Sequence, residues 1–319
     1  MYSRWFSVAV VMFWIATMGW LIHHKILPPL VVGDPPTYRS IIADRQAIEQ
    51  PAGWMIYLDG QPLGWATSRP RLLDNGVTEF RSFVHLTRLP IEEITPAWMK
   101  SLLQMIDRDH GLEELAMNVD VEGSLEIDPL GRLIGFDSKA LFGHDASRRD
   151  PLGKMLAGEI DSRFRINIQG TVEGRQLKLK VRSGDFVYNT STYLSPDALM
   201  SDALTPQARL PDLKVGQTWT VPVYSPLRPP TSPVEVLHAK VERREPIVWK
   251  DSVVPAYLIV FHTDPGSELT NNREARAKAW VDLDGNVLKQ ELLLLDARLT
   301  FERLPDDHQL LKGTAAPHD

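Results

Sequence analysis

The pattern of apolar and polar positions divides the chain into one long apolar run and a body of alternating segments. Residues 5–22 contain no charged side chain, and an 18-residue helix there would be ~27 Å long, close to the ~30 Å hydrocarbon core of a bilayer. From about residue 53 onward, apolar residues tend instead to recur at every second position. The pattern therefore predicts an N-terminal helix followed by a body made mainly of β-strands.

The apolar run is predicted to be an uncleaved, single-pass membrane anchor over residues 1–25. Trp5, Trp14 and Trp20 would anchor it in lipid, since indole rings favour the bilayer interface, and Lys25 follows its apolar stretch. A cleaved signal peptide is the alternative, which would need a better small-x-small site. The very short leading tail favours a cytoplasmic amino terminus. The body is then expected on the extracytoplasmic side of the inner membrane.

Several segments of the body alternate as half-buried strands do. In the clearest, residues 119–128, Val119, Val121, Leu125 and Ile127 share one face and acidic residues occupy much of the other. The other alternating segments are residues 163–169, 177–182, 219–223 and 277–283. Two continuously apolar stretches, 253–261 and 292–295, predict strands that are covered on both faces.

Hairpin turns are predicted at Asp59-Gly60, Glu173-Gly174 and Asp284-Gly285-Asn286, because these residues tolerate a positive φ. Tight turns of this kind make successive strands antiparallel. The segments 127–134 and 281–288 also share the frame aliphatic-Asp-x-x-Gly-x-aliphatic-aliphatic. Either hairpins converge on the same turn residues, or the body contains a duplicated module.

Helices are predicted at residues 95–106 and 151–160 and from Ser195 onward, because a capping residue or an apolar face marks each one. The fold class is therefore mainly β with α additions: a long curved antiparallel sheet with a few covering helices. The predicted order is anchor 1–25, linker 26–52 with a short helix at 38–48, first β module 53–192, helical linker 193–208, second β module 209–304 and flexible tail 305–319.

Composition narrows the function without naming a reaction. The net charge of −6 gives no basic excess for nucleic acid, and the absence of cysteine excludes disulfides and thiolate metal sites. No serine elbow, phosphate loop or HExxH motif occurs in the chain. We therefore expect a protein that is not an enzyme, with no metal, no cofactor and no nucleic-acid partner.

Tryptophan and the apolar strands supply the candidate ligand site. Trp280 alternates with Ala279 and Val281, so it should lie on the face of the sheet opposite to theirs and need a cover. Core packing is the plain explanation for most tryptophans of the body. The alternative is a concave apolar groove, whose predicted lining is Trp249, Val253, Tyr257, Phe261 and Trp280.

Three segments carry a resemblance to known proteins. YLDGQPLGW at 57–65, LKVGQTW at 213–219 and AWVDLDGNVLKQE at 279–291 resemble bacterial periplasmic β-rich domains. These include lipoprotein-carrier-like domains and uncharacterised domains found beside transglutaminase-like proteins. The resemblance implies a curved antiparallel sheet that can cradle a lipid or a peptide against helices. It implies no catalytic residue, and the chain has no cysteine for lipid attachment.

The sequence thus predicts a non-enzymatic, membrane-tethered extracytoplasmic module that binds an apolar ligand, either lipid or peptide, or an envelope partner. Its N-terminal helix would contact membrane lipid. The alternative is a structural or accessory subunit of an envelope complex, such as an exporter or a membrane-bound hydrolase, which would use its sheet edges and its helix to make contacts.

Overall fold

The computed structural model describes residues 4–22, 34–43, 50–90, 116–144, 164–195, 198–224, 232–263, 275–294 and 297–313. The described helices are α1 (Arg4–Leu21), α2 (Tyr38–Ala43) and α3 (Gln309–Gly313). The described strands are β1 (Ala52–Leu58), β2 (Gln61–Leu72), β3 (Thr78–Pro90), β4 (Ala116–Ile127), β5 (Leu133–His144), β6 (Phe164–Glu173), β7 (Gln176–Ser183), β8 (Phe186–Tyr193), β9 (Ser201–Asp202), β10 (Thr218–Tyr224), β11 (Val234–Trp249), β12 (Ser252–Thr263), β13 (Ala277–Asp282), β14 (Val287–Leu294) and β15 (Ala297–Arg303).

One sheet contains all fifteen of these strands, in the order β8-β7-β6-β5-β4-β3-β2-β1-β15-β14-β13-β12-β11-β10-β9. Successive strands are neighbours in this order, except for β8 and β9, which form its two ends, and the first and last described strands, β1 and β15, pair in the middle. Every pairing is antiparallel except the short parallel contact between β9 and β10. The mainly β, antiparallel class predicted from the sequence is confirmed.

The alternating segments form strands where the pattern predicts them. In β4, Val119, Val121 and Ile127 are buried while Glu122 and Glu126 are exposed. Within the predicted apolar stretch 253–261, the five successive residues from 256 to 260 of β12 are all buried, so this part is covered on both faces, whereas Val253 and Pro255 are exposed. Alternate burial thus identifies the half-exposed strands and continuous burial the fully covered one.

The two turns with matching sequences also match in structure. At Asp128 and at Asp282 the carboxylate accepts hydrogen bonds from two backbone N–H groups further along the turn. Gly131 and Gly285 follow with φ values of 81° and 85°. The same backbone hydrogen bonds close the turn that begins at Leu73. Since three hairpins share this geometry, turn chemistry is sufficient to account for the repeated sequence.

The sheet curls until its two ends meet over a common core. The rings of Phe136 on β5 and Tyr224 on β10 stack with centroids 4.4 Å apart, although the two strands are ten positions apart in the sheet order. The segment 194–200 joins the edge strands β8 and β9 and carries the buried side chains of Leu194, Leu199 and Met200 into the same core. The curved sheet therefore encloses an interior rather than presenting an open face.

Two predicted helices, 95–106 and 151–160, lie outside the described residues, as do residues 44–48 of the helix predicted at 38–48. The third prediction, a helix from Ser195, is wrong for the residues that the structure describes. Ala198–Met200 have no regular structure, and Ser201 and Asp202 form β9. The side chains of Ala198–Met200 are buried in the core of the sheet, and this packing outweighs the local capping signal.

The N-terminal helix α1 ends at Leu21 and has an exposed surface along its length. Within the described part of the chain, no helix combines the length and the apolar character needed to cross a membrane. The membrane-spanning anchor predicted over residues 1–25 is therefore not supported.

Candidate functional site

A polar cavity of about 70 Å³ lies inside the curl of the sheet. Side chains from α2, β2, β3, β4, β9, β10 and β15 line it, together with the segment that links β9 to β10. One water needs roughly 10–15 Å³ of such space, so the cavity has room for several waters or a small polar group. Its titratable and amide side chains are Tyr38, Gln50, Asp202, Gln207, Arg209, Tyr224, Asn286 and Arg303.

Asp202 is the carboxylate of this cavity, and the short strand β9 positions it. Its Oδ1 accepts a hydrogen bond from the Leu204 backbone N–H at 2.9 Å, and the Tyr224 hydroxyl donates to Oδ2 at 3.1 Å. Desolvation raises the pKa of Asp202 to about 6, against the lowering effect of these hydrogen bonds. A carboxylate held this way changes charge close to neutral pH.

Two buried tyrosines border Asp202. The Tyr38 hydroxyl donates to the Met200 backbone oxygen at 2.6 Å, and the Gln207 side chain donates to the same oxygen at 2.9 Å. Tyr224 stacks on Phe136, so its ring ties β10 to β5. Desolvation raises the pKa of both hydroxyls, which therefore stay neutral and act as hydrogen-bond donors.

Arg303 supplies a buried positive charge to the same cavity. The side chain comes from β15, its residue is 8% exposed, and its Nη1 donates to the Ala208 backbone oxygen at 2.9 Å. Its Nη2 lies 3.6 Å from the Asp306 carboxylate, at the surface. Desolvation lowers the pKa of Arg303, against the opposing effect of Asp306. The cavity thus contains both an acid and a guanidinium.

A second, apolar cavity of about 40 Å³ adjoins the first. Asp202 and Gln207 line both cavities, so the two meet at β9. The apolar cavity lies against the inner residues of the second half of the sheet, which are Trp219, Val221, Leu237, Phe261, Ala277, Ala279, Val287 and Leu292. The interior therefore has a polar end and an apolar end.

Trp219 combines burial with an unsatisfied donor at the apolar end. Its residue is 8% exposed, and Nε1 has no hydrogen-bond acceptor among the described residues. A buried indole N–H usually finds a partner, because leaving it unpaired costs about 1–3 kcal/mol. A bound group that carries an acceptor would satisfy this donor.

The structure separates the five residues predicted to line a groove. Tyr257 pairs with Val281 and Phe261 with Ala277, so both lie on the inner face, and Phe261 contacts the apolar cavity. Trp280 pairs with Leu258 on the opposite, outer face, as its alternation with Ala279 predicts. The five do not form one surface.

The remaining two predicted residues lie at the turn between β11 and β12. Val253 is 71% exposed there. The Trp249 Nε1 donates to the Arg303 backbone oxygen at 3.0 Å, and the Lys250 ammonium lies 3.9 Å from its ring centroid. Trp280 is covered in a similar way, with Nε1 2.6 Å from Glu245 Oε1 and the Lys289 ammonium 5.2 Å from its ring. Neighbouring side chains thus supply the cover that both indoles need.

The sequence analysis missed Tyr38, Asp202, Tyr224 and Arg303. No spacing rule could find them, because Tyr38 and Met200 are 162 positions apart and still share a hydrogen bond. The one local signal is an acid next to small apolar residues at 202–204, which is too common to predict a site. Nor do three or more His, Asp or Glu side chains in the described ranges cluster as metal ligands would.

The sequence analysis also missed a pair of a histidine and a carboxylate on the outer face of the sheet. His85 Nδ1 lies 2.6 Å from Asp120 Oδ1, and the Trp65 ring packs 5.9 Å from the imidazole. These three residues occupy neighbouring registers on β2, β3 and β4. A carboxylate beside an imidazole is typical of acid–base sites, but cross-strand ion pairs of this kind also stabilise sheets. The pair lies on the face of the sheet opposite to the cavities.

Comparison with known proteins finds a distant similarity in structure. The class defined by the structure is a β-rich domain built on one large antiparallel sheet. One similar solved structure is the crystal structure of a beta-barrel-like protein of domain of unknown function DUF1849 from Brucella abortus. The two share 7% identity over 80% of this chain and 95% of that one, with a TM-score of 0.41. No family model and no curated protein matches the sequence.

Proposed function

We propose that the chain is a non-enzymatic binding module that takes an apolar segment of a ligand, either an acyl chain or a peptide side chain, into the interior of its curved sheet. The observation that carries the proposal is the Trp219 N–H, which has no acceptor among the described residues and belongs to a side chain that lines the apolar cavity. Ligand sites are typically apolar concavities with a few convergent polar groups, and this cavity combines the two.

The adjoining polar cavity suits the polar end of such a ligand. Asp202 and Arg303 offer an acceptor and a donor that are both largely removed from water. A carbonyl or ester oxygen would satisfy the Trp219 N–H, and the guanidinium of Arg303 would bind an acidic group. The favoured ligand is therefore amphipathic, with a short apolar segment attached to an oxygen-bearing group.

The proposal includes a location. The large side chains of α1 are exposed, with Trp5 83% and Phe13 73% accessible, and such a surface favours contact with membrane lipid. We place the module on the extracytoplasmic side of the inner membrane, with α1 in contact with its lipid. Separating membranes from soluble fractions, with a variant that lacks residues 1–25 as the control, tests this location. Equal distribution of both proteins would contradict it.

The test of ligand binding is mass spectrometry of what co-purifies with the full chain in mild detergent. Ala279→Leu adds bulk to a buried wall of the apolar cavity, so we expect it to reduce the retained lipid or peptide about ten-fold. Thr220→Leu introduces the same side chain at an exposed position of β10 and is the control. A wild-type protein that carries no ligand, or equal retention by both variants, contradicts the proposal.

The alternative function, a structural or accessory subunit of an envelope complex, is favoured by a different observation. The edge strand β8 is exposed and pairs with β7 alone among the described strands. Cross-linking in native membranes should recover one fixed partner if this function holds. The same experiment should recover none if the chain acts alone.

A further inference from the structure

Among the described strands, β8 ends the sheet and leaves one of its edges unpaired. Its residues pair with β7 from Gln176↔Tyr193 to Ser183↔Phe186 without a register shift, and no described strand pairs with its other side. Edge strands of natural proteins usually carry a charge, a proline or a bulge that blocks further pairing. The sequence of β8, FVYNTSTY, has neither charge nor proline. The backbone groups that no described strand pairs with can therefore accept another strand.

The outer face beside this edge is basic. Lys180 pairs with Asn189 and Arg182 with Val187, so both cations lie on the same face as the exposed side of β8. The stretch from 164 to 193 holds five basic and two acidic residues, whereas the whole chain has a net charge of −6. A strand added to β8 would lie about 10 Å from the β7 backbone, within reach of these long side chains.

The inner side of the same edge is aromatic. Phe186 and Tyr188 stack with centroids 6.4 Å apart, and Phe186 is 49% exposed. Tyr188 pairs with Val181, which faces the core. An added strand would therefore place alternate residues against aromatic rings and the others beside cations, and it should alternate apolar with acidic residues.

We infer that β8 binds an extended, acidic segment of a partner protein as an additional strand of the sheet. This inference rests on the alternative function, the accessory subunit, and is independent of the ligand cavities. Backbone hydrogen bonds would supply much of the affinity, and Lys180 and Arg182 the preference for acidic sequences. A second copy of this chain is disfavoured as the partner, because pairing β8 with β8 would bring two basic faces together.

The probe is a short labelled peptide in which Glu and Val alternate, titrated into the full chain and followed by fluorescence anisotropy. We expect saturable binding that weakens as salt is raised, and about ten-fold weaker binding to the variant Lys180→Glu/Arg182→Glu. Lys214→Glu/Lys240→Glu makes the same charge change at exposed positions away from β8 and should bind like the wild type. Circular dichroism and the Tm establish that both variants fold.

Two further probes separate backbone pairing from simple charge attraction. A peptide with Lys in place of Glu should bind at least about ten-fold more weakly. The acidic peptide can carry N-methyl groups on either of its two sets of alternate residues. Only one of these two methylated peptides should lose binding, since only one set of N–H groups faces β8. Equal binding of all these peptides, or none by the parent peptide, overturns the inference.

The occupant is tested with a single cysteine. The chain has no cysteine of its own, so Asn189→Cys places one thiol on β8. Disulfide-linked dimers in dilute solution would assign the edge to a second copy and overturn the inference. The peptide titration could fail while the co-purification test still finds bound lipid. That result would refute the strand-binding inference and leave the proposed ligand-binding function intact.

Discussion

At the scale of single residues, Asp202 shows why the interior of this sheet is more than packing. Its carboxylate lies in the interior, and the Leu204 N–H, the Tyr224 hydroxyl and the Thr205 side chain offset only part of its desolvation. The folded protein therefore binds a proton at Asp202 more tightly than the unfolded chain does. This difference links the stability of the fold to pH in a direction opposite to that of most carboxylates.

The prediction concerns Asp202→Asn. The pKa of Asp202 in the folded protein, about 6, lies above the ordinary value near 3.9. The free energy of unfolding of the wild type should therefore fall as the pH rises from about 4 to about 6. Asparagine does not ionise and so carries no cost of a desolvated charge. The free energy of unfolding of the variant should therefore gain up to ~3 kcal/mol relative to that of the wild type as the pH rises from 4 to 8. Urea unfolding of both proteins at pH 4 and pH 8 measures this difference. A difference between the two proteins that is constant with pH would contradict the assignment.

At the scale of elements, sequence and structure agree where the information is local. The alternation in β4 and the Asp–Gly turns at Asp128 and Asp282 depend on residues within a few positions of one another, and both were predictable. Ser195 carries an equally local capping signal, yet the residues after it pack into the core without forming a helix. Local chemistry therefore determines strands and turns here, whereas the linker depends on contacts with distant strands.

The linker also explains why Gly285 is needed. Its φ is 85°, and an added Cβ would lie 2.9 Å from the Pro211 Cα, because the segment 208–211 packs over this turn. Gly174 has a φ of 64° and open space around it. Gly174→Ala should cost about 1 kcal/mol through its backbone conformation alone, and Gly285→Ala at least ~1–2 kcal/mol more through the clash. Equal losses in urea unfolding would show that Pro211 does not constrain the turn.

At the scale of the whole molecule, the single sheet folds back so that its far ends share a core. The two β modules, predicted from a repeated turn sequence, stay a prediction, and that repeat contains no information about the curvature of the sheet. The contact between Phe136 and Tyr224 joins strands that are far apart in the sheet order. Such contacts could not be predicted, because nothing near Phe136 in the chain indicates its partner. The cavities exist only because of this closure.

A double-mutant cycle tests the closure. Phe136→Ala and Tyr224→Ala should each destabilise the protein, and their stacking should give a coupling free energy of about 0.5–1.5 kcal/mol in urea unfolding. Phe136→Ala combined with Tyr193→Ala, at a position 65% exposed on β8, should show additive losses. Additivity in both cycles would mean that β5 and β10 do not meet in solution.

The central claim is that an apolar ligand segment enters the interior beside Trp219. The direct measurement is quenching of tryptophan fluorescence by a dibrominated fatty acid, because bromine quenches an indole only at close contact. The chain has nine tryptophans, so Trp219→Phe isolates the contribution of this one. We predict a saturable fraction of quenching in the wild type that disappears in Trp219→Phe. Identical quenching curves for the two proteins would contradict the claim.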